Sequence, residues 1–252
     1  MVSRTELTGR FVAGEFELNV RSARAPAGTV FDAPRAPGVS MERPSPKAII
    51  LEGQGGHFSF GASVQEHLPD HVERMLERFR TLLNALLDSS VVIVGAVRGQ
   101  CLGGGLELLT ICHRIVAAPD AKFGQPEIAL GVFAPVASVL LAERIGRPHA
   151  EDLCLTGRTI DVDEARRIGL VDERADDPTT AALAWLRQSF SDRSATSLRL
   201  AVRAIRAGVL AKLQGELPRV EQLYLRELMT TADANEGLRA FLEKRRPVWR
   251  HA

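Results

Sequence analysis

Two glycine-containing turns and two glutamates are the parts of this sequence whose types and spacing could do chemistry. HFSFGAS sets Gly61 and Ala62 just after one apolar run, and GQCLGGGLELL sets Gly103–Gly105 after a second, where a helix begins. N–H groups in the first turn of a helix lack an intrahelical acceptor and lie at the positive end of its dipole. Glycine lets a ligand approach such backbone closely. Two turns of this kind facing each other would offer two N–H donors to one oxygen, the arrangement of an oxyanion hole. A Gly-Gly-Gly run serves tight helix–strand packing equally well, and spacing alone does not decide between the two. Glu107 follows three residues after Gly104 in an otherwise apolar stretch, where a carboxyl must be exposed, paired or functional. Glu127, in FGQPEIALG, follows a proline and has the alternative of a solvated turn residue. Two carboxylates converging on one oxyanion hole could move a proton and activate a water.

Other chemistry is poorly served. His57 and His67 flank the first turn, and His113 falls at a predicted helix end, a position that suits a cation. No histidine stands at metal-ligand spacing from acids, so no metal site is expected. There is no Gly-x-Ser-x-Gly nucleophile elbow, and no Lys-Ser/Thr follows the glycines to make a phosphate loop. The Arg239–Arg246 tract reads as a solvated helix face, with phosphate contact as the alternative.

The surrounding elements must hold the two turns. KAIILEG (Lys47–Gly53) and Val91–Val97 suit buried strands. Between them Val72, Met75, Leu76, Phe79, Leu82, Leu83 and Leu86 recur at helical spacing behind Pro69, predicting a helix to about Leu87. Residues 11–20 alternate loosely and predict one strand, Arg114–Ala118 another, and LELLTIC a helix that starts inside the glycines. Helical spacing dominates afterwards, over Ala134–Ile145, His149–Leu155, Val162–Gly169, Thr179–Ser191, Ala195–Ala211, Glu216–Thr230 and Ala232–Arg245. Asp161 and Asp163 stand where N-caps would, and Pro247 stops the last helix. Strands alternating with helices, then helices alone, indicate an α/β core with a helical C-terminal region. Residues 21–46 hold five of the thirteen prolines and predict a surface or partly disordered loop.

Composition narrows the function. The 252 residues suffice for one large domain or two small ones, and 45% apolar with 25% charged residues is ordinary for a globular protein. Thirty-two basic against thirty-one acidic side chains argue against a nucleic-acid partner. No apolar stretch is long enough for a membrane span, and the N-terminus lacks the apolar core of a secretory signal. Three cysteines without a Cys-x-x-Cys pair fit a reducing, cytoplasmic setting.

Taken together, AIILEGQGGHFSFGAS, VVIVGAVRGQCLGGGLELLTICHRIVAAPDAKFGQPEIALG, AEDLCLTGRTIDVDEARRIGLVDE and EGLRAFLEKRRPVW resemble the crotonase (enoyl-CoA hydratase/isomerase) superfamily, from about Lys47 to Trp249. The resemblance implies an α/β fold with a crotonase-like (ββα) superhelix core over residues 1–190. A helical trimerisation region over 191–252 would follow, in a homo-oligomer (a trimer or a dimer of trimers). It implies an acyl-CoA substrate whose thioester oxygen lies between the N–H groups of Ala62 and Gly104, with Glu107 and Glu127 on the family's two catalytic glutamate positions. Coenzyme A is then part of the substrate, and no separate cofactor is needed. Both acids are present in family hydratases, while isomerases commonly keep one or neither, so the pair favours a hydro-lyase. Within the family, HFSFGAS–EHLPD, RGQCLGGGLEL, APDAKFGQPEI and LYLRELM resemble members that add water to a cyclic dienoyl-CoA in a 1,4 sense. GVFAPVAS (Gly131 to Ser138) replaces the usual glycine-rich stretch after the second acid, and Ser63 stands where many relatives carry Asp. Phe60, Leu130 and Phe133 are candidates to line the acyl pocket, and Phe241 with Lys244 matches a Phe/Lys pair that relatives use near CoA. Residues 21–46 lack the family's Arg-Pro-x-x-x-Asn-like turn and the helix that help hold CoA. Either that element is lost or the stretch is read out of frame, and the abrupt shift to Ala, Arg and Pro favours the second. The alternatives are a hydratase for a linear or branched acyl-CoA, an isomerase, and a non-catalytic binding protein on the same scaffold.

Overall fold

The computed structural model describes residues 9–13, 16–21 and 47–251, and the Pro-rich loop expected over 21–46 lies outside them beyond Arg21. The strands are β1 (Gly9–Ala13), β2 (Phe16–Arg21), β3 (Ala48–Glu52), β4 (Val92–Val97), β5 (Gln100–Leu102), β6 (Arg114–Ala117), β7 (Lys122–Gly124), β8 (Thr159–Asp161) and β9 (Glu173–Arg174). The helices are α1 (Val72–Asp88), α2 (Gly104–Leu109), α3 (Pro135–Ile145), α4 (Arg147–Thr156), α5 (Val162–Arg167), α6 (Pro178–Phe190), α7 (Ala195–Arg226) and α8 (Ala232–Leu242). Short 3-10 turns cover Val64–His67, Pro126–Leu130 and Leu228–Thr230.

The larger sheet has the order β1-β2-β3-β4-β6-β9, antiparallel from β1 to β3 and parallel from β3 to β9. Its central strands are apolar on both faces because both are covered. Ile49 and Leu51 of β3 and Ile93 and Val97 of β4 pack with Phe79, Leu82, Leu83 and Leu86 of α1. The alternate residues Ala48, Ile50, Val92 and Val94 pack with Ala182 and Leu186 of α6 and Val202 of α7. The smaller sheet, β5-β7-β8, stands beside the first. Only Arg98 and Gly99 separate β4 from β5. Gly99 has φ +51°, and a Cβ there would sit 2.3 Å from both the Gly56 carbonyl oxygen and the His57 ring. No helix of the described residues is long and apolar enough to cross a membrane.

Several elements differ from their sequence expectations. The strand expected over 11–20 is two, β1 and β2, paired from Gly9↔Val20 to Ala13↔Phe16. Helix α1 begins at Val72, although Val72 N–H already bonds back to the Leu68 carbonyl. The helix in LELLTIC stops at Leu109, and α8 stops at Leu242 rather than Arg245. Asp161 caps α5 by accepting from Glu164 N–H at 2.9 Å, whereas Asp163 lies inside its first turn. His113 is not a cation at a helix end: burial and the neighbouring Arg206 push it down to about 4. Its Nδ1 accepts from the Ile93 N–H instead. The basic side chains Arg239, Lys244, Arg245 and Arg246 are exposed, with Arg245 paired to Glu236 and Glu243.

The largest difference is α7. Helices expected over Ala195–Ala211 and Glu216–Thr230 form one helix of 32 residues, followed by a 3-10 turn. Gly215 and Pro218 suggest a break by propensity, but Leu213, Leu217 and Tyr224 keep helical spacing on the buried side. Tertiary burial overrides the local preference, because the two fully buried leucines together contribute about 3–6 kcal/mol against about 1 kcal/mol for a helical glycine and about 3 kcal/mol for a helical proline. A Cβ at Gly215 would meet nothing within 4 Å. Gly215→Ala is therefore expected to stabilise the protein by about 1 kcal/mol and raise Tm by about 2–4 °C, measured by calorimetry.

Candidate active site

Backbone bonds place the two glycine turns side by side. Phe58 and Ser59 N–H donate to the Gln100 carbonyl, each at 3.0 Å, and Leu102 N–H donates to the Ser59 carbonyl at 2.9 Å. The Ser59–Cys101 bridge thus adds the first turn to the edge of β5. Gly61, at φ +90°, is left so near the second turn that a Cβ on it would lie 3.1 Å from the Gly104 nitrogen. Among the described residues neither the Ala62 nor the Gly104 N–H has an acceptor. Gly104 is the first residue of α2, so its N–H has none within the helix.

Glu107, one turn further along α2, is 5% exposed. Its Oε1 accepts from the Ala137 N–H at 2.9 Å. That bond answers a need of α3, whose N-cap residue Ala134 has no side-chain acceptor and whose first residue, Pro135, has no N–H. A carboxylate from α2 therefore caps α3 at the positive end of its dipole. Glu127 comes from the 3-10 turn Pro126–Leu130, which ends at Gly131 with φ +74°. A Cβ on Gly103 would lie 2.4 Å from the Glu127 Oε1, so this carboxyl rests against bare glycine backbone. Its other oxygen is buried without a partner among the described residues.

Both carboxyls, with Ala62 and Gly104, line one narrow cavity of about 20 Å³, room for one water. Burial pushes the Glu107 carboxyl up to about 7, against the pull of the Ala137 and Val136 N–H groups. Burial also pushes Glu127 up to about 8, and the charge of Glu107 adds to the effect. Two neighbouring buried acids resist double ionisation and titrate as a pair.

The other candidates are placed differently. Phe133 lines the cavity. Phe60 is 62% exposed, edge-on to His57, and is not part of the lining. Leu130 is half-buried in the cluster around Val132 and Leu238. Phe241, on α8, and Lys244, just after it, are exposed and are not part of this lining. The structure adds His67 and Glu221 to the lining. His67 Nδ1 is 3.0 Å from the Tyr224 hydroxyl, and Glu221 pairs with Arg80. Spacing carried one faint signal of this. Glu221 and Tyr224 fall on the same helical face as Leu213 and Leu217, where a charged residue is out of place.

Known proteins share the sequence and the fold. The sequence profile of the Enoyl-CoA hydratase/isomerase family matches residues 39–252. The chain is 50% identical over 238 residues to the cyclohexa-1,5-dienecarbonyl-CoA hydratase of Thauera aromatica, covering 92% of each protein. It is 38% identical to a probable enoyl-CoA hydratase of Mycobacterium tuberculosis, over 81% of this chain and 80% of that one. Among solved structures, an enoyl-CoA hydratase from Mycobacterium avium superposes with a TM-score of 0.68 at 30% identity, covering 77% of this chain and 75% of that one. The two turns, their backbone bridge and the two acids are thus set in a shared fold, and the chain belongs to the enoyl-CoA hydratase/isomerase family.

Proposed function

We propose that the protein hydrates a conjugated acyl-CoA thioester whose acyl part is a cyclic diene, using Ala62 and Gly104 as the oxyanion hole and Glu107 with Glu127 as the acid–base pair. The observation that carries this reading is the meeting of both carboxyls with both free N–H groups in one buried cavity. The thioester oxygen accepts from the two N–H groups, which makes the conjugated alkene electrophilic. These donors bind best when negative charge has developed on the oxygen, so they lower the barrier rather than merely hold the substrate. A water held between the carboxyls gives a proton to the ionised member and attacks the carbon β to the carbonyl. The protonated member supplies the proton that completes the addition. In a 1,4 addition that proton goes to the far end of the diene. Carboxyls raised toward neutrality suit both tasks near pH 7.

The cyclic acyl group is supported by the 50% identity to a relative named for that substrate, and by Phe133 in the lining. Coenzyme A enters as part of the substrate, and the chemistry needs no further cofactor. A homo-oligomer is supported by the exposed apolar side chains Leu155, Ile205 and Phe241.

Purified protein is expected to turn over cyclohexa-1,5-diene-1-carbonyl-CoA with a mass gain of one water and loss of dienoyl absorbance. Turnover of crotonyl-CoA alone would overturn the ring assignment, and turnover of neither would overturn the hydratase reading. Glu107→Gln and Glu127→Gln should each lower kcat by about 10²–10⁴-fold. Gly103→Ala would put a methyl against the Glu127 Oε1, and the displaced carboxyl should cost about 10²-fold in kcat. Stability should carry the same signature. The folded protein holds the Glu127 proton more tightly than the unfolded chain, so stability is lost as pH rises from the ordinary carboxylate range to about 8. Glu127→Gln removes that loss. Its Tm should exceed that of the parent by about 4 °C or more at pH 8.5, with the gap closing near pH 4.5; an equal gap at both values would contradict the raised carboxyl.

A further inference from the structure

Tyr224 is used by nothing described so far, yet two side chains of the cavity wall lean on it. It lies on α7, is 0% exposed, and bonds His67 Nδ1 through its hydroxyl at 3.0 Å. On its ring face, Phe133 packs edge-on with centroids 5.1 Å apart and planes at 73°. His67 and Phe133 both line the cavity. The hydroxyl bond holds the imidazole in one orientation, and the edge-on contact holds the phenyl ring in one rotamer. The wall does not loosen with pH near neutrality, because burial pushes His67 down to about 4 and keeps it neutral. Burial also pushes the Tyr224 phenol well up, with the Glu127 and Glu107 carboxyls adding to the effect, so its hydroxyl keeps its proton.

Two other residues of the lining have the opposite character. Met75 and Leu76 of α1 are unbranched at Cβ and end in flexible groups with no hydrogen bond to fix them. With space for about one water in the cavity, an acyl group larger than a water displaces side chains on entering. The α1 side can yield to it, and the aromatic side cannot without breaking the His67–Tyr224 bond.

We propose that Tyr224 is a specificity-determining residue: it pins His67 and Phe133 as a rigid end wall that limits the length of the acyl group, admitting a compact one and excluding an extended chain. The proposal rests on the acyl-CoA reading above but not on the cyclic diene. Tyr224 touches no reacting atom and acts through the two residues it positions.

The test compares acyl lengths rather than absolute rates. In the full-length protein, kcat/KM is measured for crotonyl-, 2-hexenoyl- and 2-octenoyl-CoA, and affinity for butyryl-, hexanoyl- and octanoyl-CoA by calorimetry. His67→Ala and Tyr224→Leu open the wall, and each should shift the short-to-long preference by about 10-fold or more toward long chains, mainly through KM. Tyr224→Phe keeps the ring against Phe133 and frees only His67, so its shift should be in the same direction and smaller, about 3-fold. Equal losses on every length in His67→Ala and Tyr224→Phe would overturn the proposal, as would an unchanged ratio. Folding failure of Tyr224→Leu leaves those two variants to decide. The saturated thioesters read the same ratio without turnover, so an inactive parent protein would sink the hydratase reading while still testing the wall.

Discussion

The short backbone splice between Phe58–Ser59 and Gln100–Leu102 is the constraint on which the site depends. Three bonds of 2.9–3.0 Å join segments some forty residues apart in the chain. In the proposed reading neither turn serves alone, because one N–H donor does not make an oxyanion hole. The splice can form only because Gly99 turns the chain from the first sheet into β5 and leaves room for Gly56 and His57 beside it. Behind it stands the α1 crossover between β3 and β4, which pair in parallel from Ala48↔Val92 to Glu52↔Ala96 under the buried face of α1. The burial that secures the sheet therefore also sets the spacing of the donors.

The carboxyls carry a cost to stability that the proposed function would put to use. Glu107 is buried at a cost, and the N-terminal N–H groups of α3 offset part of it. Glu127 has less support: one oxygen rests on Gly103 and the other has no partner among the described residues. A buried acid without compensation is a liability for folding. The same desolvation brings its proton affinity into the range where it can both give and take a proton. Glycine at 103 is what lets the carboxyl lie so close to the mouth of α2.

Around this centre the chain combines fixed and yielding surfaces. Helix α7 runs past Gly215 and Pro218 to deliver Glu221 and Tyr224 to the cavity side. Its continuity is a packing result, since the local residues would end it. The aromatic contacts made there are geometrically specific, whereas α1 offers Met75 and Leu76, which can repack.

Much of this was legible in the residues. The apolar runs at 48–52 and 92–97, the α1 periodicity, the glycine turns and the out-of-place Glu107 are all local patterns. Burial on both sheet faces and a helical stripe follow from side-chain period alone, so the α/β core and the candidate acids could be read without coordinates. The three-residue strands β5, β7 and β8 were not legible, because so short a run has no period to detect. The continuity of α7 was hidden for a different reason: glycine and proline speak for the local chain, and the burial that overrules them comes from residues far away. The His67–Tyr224 bond spans 157 positions, a pairing that no spacing rule reaches. Sequence by itself determined which groups are present and which elements carry them. Only tertiary structure decided which of them meet, because hydrogen bonds and desolvation depend on distance through space and not on separation along the chain.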